Sequence, residues 1–348
     1  MTRWVRLFTT PRSLVGLAST LLFLALAFRA APVDQVSQAL STADYVWLVP
    51  GVLAQFVALL ARSRRWQVLL QGKVSFAEAF WAQSIGFLGN NVLPLRAGEA
   101  MRVLAVNRRT GVPLALVAST VVLERAVDVA SVLALLACVL PFVSVPPLIG
   151  VAATALAATL LAVVLGVGIA LVAGGHSVAA LPWLTHLVPV RLQQPLRSGW
   201  DQLVQGLAAL RDRRAVGEIV LWSVLTILFS VAMYWAVIQA VVPGPALVEP
   251  AFAVAAVSVG VSLPSSPGFV GVFQFIGQQA LVLPFPLRYT AGSALSVALL
   301  SHLIYYVLTT SAGIIGLGRL GLSLGALRTA PAEQATPVHS TAAPSPTA

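Results

Sequence analysis

The sequence predicts an all-α, polytopic helical membrane protein, with about six full transmembrane helices plus two re-entrant broken-helix hairpins arranged as a weak inverted repeat. Three observations carry this prediction. Only 9% of the 348 residues are charged and 58% are hydrophobic, whereas a soluble globular chain carries about 25% charged residues. Most of the surface must therefore face lipid. Apolar runs of about 20 residues recur, each long enough to cross a hydrocarbon core about 30 Å thick. The runs are continuous rather than alternating, and backbone polar groups in lipid must be satisfied internally, which together select helices over a barrel.

The first span falls near 12–30. Arg3, Arg6 and Arg12 precede it as in a signal peptide, but the apolar stretch Ser13 to Phe28 is longer than a usual signal core and further spans follow, so an uncleaved helix is expected. The other full spans lie near 45–62, 114–141, 148–173, 216–241 and 290–317. Segments 76–94 and 250–285 are apolar but interrupted by Pro and Gly. Residues 190–214 place Leu192, Leu196, Trp200, Leu203, Leu207 and Leu210 at helical spacing among arginines, which suits either an interfacial amphipathic helix or a solvated connector. The membrane domain covers 1–326, and the Ala-, Pro-, Thr- and Ser-rich residues 327–348 read as a disordered cytoplasmic tail.

Charge placement orients the spans. The net charge is +10, and its arginines sit in short connections rather than in a nucleic-acid-binding patch. Arg62, Arg64, Arg65 and Lys73 follow the second span, and Arg96, Arg102, Arg108 and Arg109 precede the third. Arg191, Arg197, Arg211, Arg213 and Arg214 separate the fourth from the fifth, and Arg319 and Arg328 follow the last. The opposite connections, 31–44, 142–147 and 242–249, hold no Arg or Lys. The positive-inside rule then puts both termini in the cytoplasm, provided that 76–94 and 250–285 each enter and leave on one side. Re-entrant backbone is tolerated only when buried in protein or lining a wet cavity, so a functional cleft is implied. The stretch LGNNVLPLRAGE (88–99) can be laid on SVGVSLPSSPGF (258–269), matching Leu-Pro and a Gly four residues later. Inverted repeats whose broken helices meet near the midplane are a transporter architecture.

Three motifs and one lone histidine could carry chemistry. Glu124, Arg125 and Asp128 lie about 15 Å into a span and within an arc of about 100°. Charges at such depth are costly and face a protein interior or a water-filled path. One Arg between two carboxylates leaves a net −1 when all are ionised, which invites a cation or proton; the other reading is an ion-pair knot that locks helices. In NNVLPLRAGEAMR, Asn90 and Asn91 can satisfy freed backbone groups or contact a polar ligand, and Glu99 can pair with Arg102 at i,i+3. Arg96 and Arg102 could hold an anionic headgroup, or simply set topology. In SLPSSPGFVGVFQ, Ser265 and Ser266 precede a half-helix starting near Pro267, whose N-terminus would attract anions, and Gln274 lies on it. His302 shares a face of the last span with Tyr306 and is either a packing residue or a proton site. Cys138 is the only cysteine and the four histidines are scattered, so neither a disulfide within the chain nor a metal cluster is expected. No P-loop, G-x-S-x-G or H-E-x-x-H motif occurs, and no cofactor is implied.

FLGNNVLPLRAGEAMR, VVLERAVDVAS and SLPSSPGFVGVFQ together resemble the lysylphosphatidylglycerol synthase transmembrane-domain family, also called flippase-like proteins, over roughly residues 12–320. The resemblance rests on Asn91, Pro94, Arg96, Gly98, Glu99, Arg102, Glu124, Arg125 and Asp128. It implies a helical membrane domain with re-entrant elements that, in the synthases, moves aminoacylated phosphatidylglycerol between leaflets. Their cytosolic acyltransferase-like domain has no counterpart after residue 320, so this chain is expected to be the membrane half, without lysyl transfer. Gly268 and Phe269 stand where many members have Gly-Gly, and Gln274 stands where an acidic residue is frequent.

Four functions fit. The favoured one is a lipid flippase or scramblase, without its own ATPase, for a phospholipid or other anionic lipid in a bacterial inner membrane. The others are a headgroup-modifying enzyme with Glu99 essential, a secondary transporter for a small solute, and a scaffold subunit. The partners expected are a membrane lipid and a separate cytosolic or membrane enzyme, with no nucleic acid.

Overall fold

The computed structural model describes residues 11–93, 97–144, 210, 212–261 and 267–323. The predicted span 148–173, nearly all of the amphipathic segment 190–214, the tail 327–348 and the residues Pro94, Arg96, Ser265 and Ser266 lie outside the described residues. The described chain is helical: α1 (Pro11–Ala30), α2 (Val33–Ser41), α3 (Leu48–Leu69), α4 (Phe76–Val92), α5 (Gly98–Thr110), α6 (Leu114–Val139), α7 (Arg213–Val241), α8 (Val248–Gly260), α9 (Val272–Val282) and α10 (Ala291–Leu320).

Four stretches are long and apolar enough to cross a bilayer: Tyr45–Leu69, Leu114–Phe142, Arg213–Val241 and Ala291–Leu320. Ala18–Ala30 and Val33–Ser41 would make a fifth if counted as one span, but they are bent by 78°. Pro32 forces that break, since its ring cannot continue a helix. The stretch 31–44, expected to be only a connection, therefore contains α2, which tucks Val36 into the protein. A second correction concerns α3. It runs seven residues past the predicted end at 62, so Arg62, Arg64 and Arg65 are part of the helix rather than of a loop after it.

The spine of the fold is α10, 30 residues or about 45 Å long. Helix α4 runs antiparallel along its second half. Gly316 meets Trp81 and Ile85, Gly313 meets Ser84 and Leu88, and Asn91 donates to the Thr309 and Thr310 hydroxyls at 3.0 and 2.9 Å. Helix α9 runs along the first half. Gln278 Nε2 donates to the Ala291 carbonyl at 3.1 Å, Gly277 meets Ala298, and Gln274 reaches His302. The two broken segments thus enter from opposite ends of α10 and meet near its middle. There a Cβ on Gly268 would stand 2.7 Å from Tyr306 Cε2 and 3.2 Å from the Asn91 carbonyl oxygen. Broken helices that meet part-way along a continuous one are a feature shared with transporter folds.

Each hairpin has a second arm. Helix α8 packs back on α9 through Gly260 and Ile276, within the predicted 250–285 plus two residues at its start. The first hairpin is longer than predicted: α5 returns along α4, so the unit spans 76–110, and Arg102 lies on a buried helix instead of in a cytoplasmic loop. With 13 residues each, α5 and α8 extend about 20 Å, too short to cross about 30 Å of hydrocarbon. Local chemistry sets their ends. Ser75 and Glu78 form a reciprocal capping box at the start of α4. Gly111, with φ 73°, ends α5 directly after Arg108 and Arg109, whose charges suit a helix C-terminus.

Candidate functional site

The predicted trio on α6 is the centre of a larger ion network. Glu124 is fully buried and receives Arg102 Nη1 at 2.5 Å, Gln83 Nε2 at 3.2 Å and Arg65 Nη2 at 3.5 Å. Asp128 binds Arg65 directly, with Arg62 and Arg125 each at 3.4 Å. Glu99 pairs with Arg102 at 2.6 Å, as the i,i+3 spacing predicts, and with Arg125 at 3.6 Å. Four arginines thus face three carboxylates. The trio alone suggested a surplus of one negative charge. The assembled network carries a surplus of one positive charge among the described residues, because Arg62, Arg65, Arg102 and Glu99 join it. By charge alone, that surplus favours an anion over a cation.

Exposure divides the network. The side chains of Arg65, Arg102 and Glu124 are at most 3% exposed, and they tie α3, α5 and α6 together. Arg102 also lies over the Trp66 ring, 4.9 Å from its centroid, while Trp66 Nε1 donates to Thr120 at 3.1 Å. By contrast Arg125, Glu99 and Arg62 are 46%, 32% and 26% exposed. These three line a cavity of about 330 Å³, together with Arg65, Asp128 and Asn90. From there the cavity extends along α7 to Val254, Val257 and Phe269 of the second hairpin. One end is charged and the rest is apolar with scattered hydroxyls, the make-up of a pocket that orients a ligand through a few polar groups.

The remaining predicted residues are placed as follows. Asn90 lines the cavity and its Oδ1 accepts from the Gly98 amide at 3.1 Å, fixing the start of α5. Asn91 is committed to α10 through the two threonines. Gln274 and His302 sit apart from the ion network, at the tip of the second hairpin. Gln274 Oε1 accepts from the Gly271 amide at 2.7 Å, so its Nε2 donates to His302 Nδ1 at 2.7 Å, and His302 Nε2 then donates to the Gly268 carbonyl at 2.8 Å. This chain holds a turn in which Gly268, Phe269 and Gly271 have φ of 69°, 60° and 90°. Phe269 is a strained occupant of the left-handed region, at the position where family resemblance suggests a second glycine. His302→Leu is expected to cost about 1–3 kcal/mol, because it leaves Gln274 Nε2 and the Gly268 carbonyl buried without partners. Thermal unfolding in detergent measures this, and an unchanged midpoint would refute the clamp.

Sequence reasoning missed Arg62 and Arg65 as site residues. They follow an apolar run and look like flanking charges. The available signal was their i,i+3 spacing, which puts them on one side of α3, while Arg64 faces away to Glu218 at 3.4 Å. Gln83 was also missed, although an amide within the apolar run of α4 is itself a cue.

At the opposite face, Glu249 pairs with Arg288 Nε at 3.1 Å and accepts the Tyr289 hydroxyl. Burial, then the bond to Glu249, raises the Tyr289 phenol above its ordinary range. Arg288 also donates to the Pro243 carbonyl at 2.8 Å, so its charge is spent on joining two connections.

The sequence model of the lysylphosphatidylglycerol synthase TM region matches residues 13–313. The chain belongs to that family, and it is a membrane protein with several apolar helices. No curated protein matches it by sequence.

Proposed function

We propose that this member of the lysylphosphatidylglycerol synthase TM-region family is a lipid translocase without its own ATPase, which moves an anionic lipid between the leaflets of a bacterial inner membrane with both chain termini in the cytoplasm. The observation that carries the proposal is the surplus positive charge of the ion network, set on a cavity that reaches from the first hairpin to the second. Arg62 and Arg125 are the arginines exposed enough to meet a headgroup. Arg65, Arg102 and Glu124 hold them in place. The two hairpins meet near the middle of α10, and the cavity beside them carries charged groups at one end and hydroxyls along its wall, where lipid alone offers neither. Glu99, engaged by two arginines, serves the network, and no covalent step is assigned to it.

The test uses the protein in liposomes containing fluorescent phosphatidylglycerol and a membrane-impermeant reductant. Wild type is expected to expose label from both leaflets. The Arg62→Gln, Arg125→Gln double variant is expected to slow this at least about tenfold, since each charge-assisted bond contributes about 1.5–3 kcal/mol. Reduction that stops at the outer half for wild type, with and without an imposed proton gradient, would reject the proposal.

A further inference from the structure

Arg125 is surrounded by carboxylates and bonded closely to none of them. Its contacts to Asp128, Glu99 and Glu124 measure 3.4, 3.6 and 3.7 Å, whereas a charge-assisted N–H···O bond closes to about 2.7–2.9 Å. The buried Arg102 shows the difference, with Glu124 at 2.5 Å and Glu99 at 2.6 Å. Arg125 stands on the cavity wall, and its fork of N–H donors is free to turn to a ligand. Of the three carboxylates around it, Glu99 is set apart. Asp128 and Glu124 both contact the buried Arg65 and are 16% and 0% exposed, while Glu99 is 32% exposed. Glu99 Oε2 is anchored on Arg102, and among the described residues its Oε1 contacts Arg125 alone. The bond from the Gly98 amide to Asn90 fixes the start of α5, so Glu99 stays beside Arg125 whether or not a ligand is present.

We infer that Glu99 is an internal counter-anion that competes with the ligand for Arg125 and so sets how readily the ligand leaves. An anion that takes up the Arg125 donors displaces the Glu99 Oε1 contact. The Glu99 charge, tethered through Arg102, then opposes that anion at close range. A site on a translocation route must hold its ligand strongly enough to admit it and weakly enough to let it go. Glu99 supplies the second property, and Arg62 and Arg125 supply the first. The inference rests on the proposal that the cavity takes an anionic lipid, and it assigns to that site the group that regulates release.

The experiment measures binding and translocation separately, on the full chain. Affinity and dissociation rate are followed in detergent with fluorescent dioctanoyl phosphatidylglycerol. Glu99→Gln keeps an oxygen for Arg102 and removes the charge. It is expected to bind the probe about tenfold more tightly than wild type, with most of the gain in slower dissociation. Glu99→Asp, which keeps the charge, is expected to stay within about threefold of wild type. In an Arg125→Gln background the gain from Glu99→Gln is expected to shrink to about twofold or less, the coupling that a double-mutant cycle reads. A Glu99→Gln variant that binds no more tightly than wild type, an equal gain from Glu99→Asp, or a gain that survives loss of Arg125 would each overturn the competition. So would failure of Glu99→Gln to fold, since a strut that the fold requires cannot be displaced by a ligand. If affinities and rates behave as expected while no lipid crosses liposomes, the competition stands and the translocase reading alone falls.

Discussion

Glu124→Gln is expected to be among the most damaging single substitutions, costing about 3–5 kcal/mol of stability. Glu124 is 0% exposed and is the only carboxylate that both Arg65 and Arg102 contact among the described residues. Removing its charge leaves two guanidiniums, 1% and 3% exposed, with one fewer counter-charge between them. The amide keeps the shape of the carboxylate, so the loss isolates charge from packing. Arg125→Gln is the comparison. At 46% exposure its ion pairs are screened, and about 1 kcal/mol or less is expected. Unfolding midpoints in one detergent would show this contrast directly. A Glu124→Gln variant as stable as wild type would mean that the network does not lock the fold, and the division between holding and ligand-facing arginines would have to be abandoned.

That division also explains what was legible in the sequence. The spans of α6, α7 and α10, and that of α3 apart from its end, could be read because long apolar runs have few structural alternatives. The two hairpins could be read because Pro and Gly cannot be absorbed quietly into a span. The Glu99–Arg102 pair and the depth of Glu124 followed from helical spacing. What could not be read was which distant charges would join them. Arg65 is 59 residues from Glu124 in sequence, and nothing local separates a buried arginine from one that sets topology. The net charge of the trio, −1, therefore differs from that of the described network, which is +1. The return arm α5 was hidden for a related reason. Its sequence, GEAMRVLAVNRRT, is polar enough to pass for a loop, because only Met101, Ala105 and Val106 mark its apolar face and the buried Arg102 beside them is matched by distant partners, Glu124 and the Trp66 ring.

Gly98→Ala is expected to disable both the fold and the site. A Cβ at this position would lie 1.8 Å from the Gly86 carbonyl oxygen and 2.6 Å from Asn90 Oδ1. The first obstacle is backbone, which cannot rotate aside, so α5 must move away from α4. Overpacking typically costs about 1–3 kcal/mol and occasionally more, and here the displacement also draws Arg102 off Glu124, one turn further along α5. The expected total is about 3 kcal/mol or more, with translocation lost even in protein that still folds. Gly318→Ala provides the contrast: a Cβ there meets nothing within 4 Å, so the substitution should be neutral or gain up to about 1 kcal/mol from helix propensity. Comparing the two variants by thermal unfolding and by lipid transfer separates the close crossing from any general intolerance of alanine. If Gly98→Ala unfolded at the wild-type temperature and still moved lipid, α4 and α5 could not be in contact at this crossing, and the placement of Arg102 beside Glu124 would fail with it.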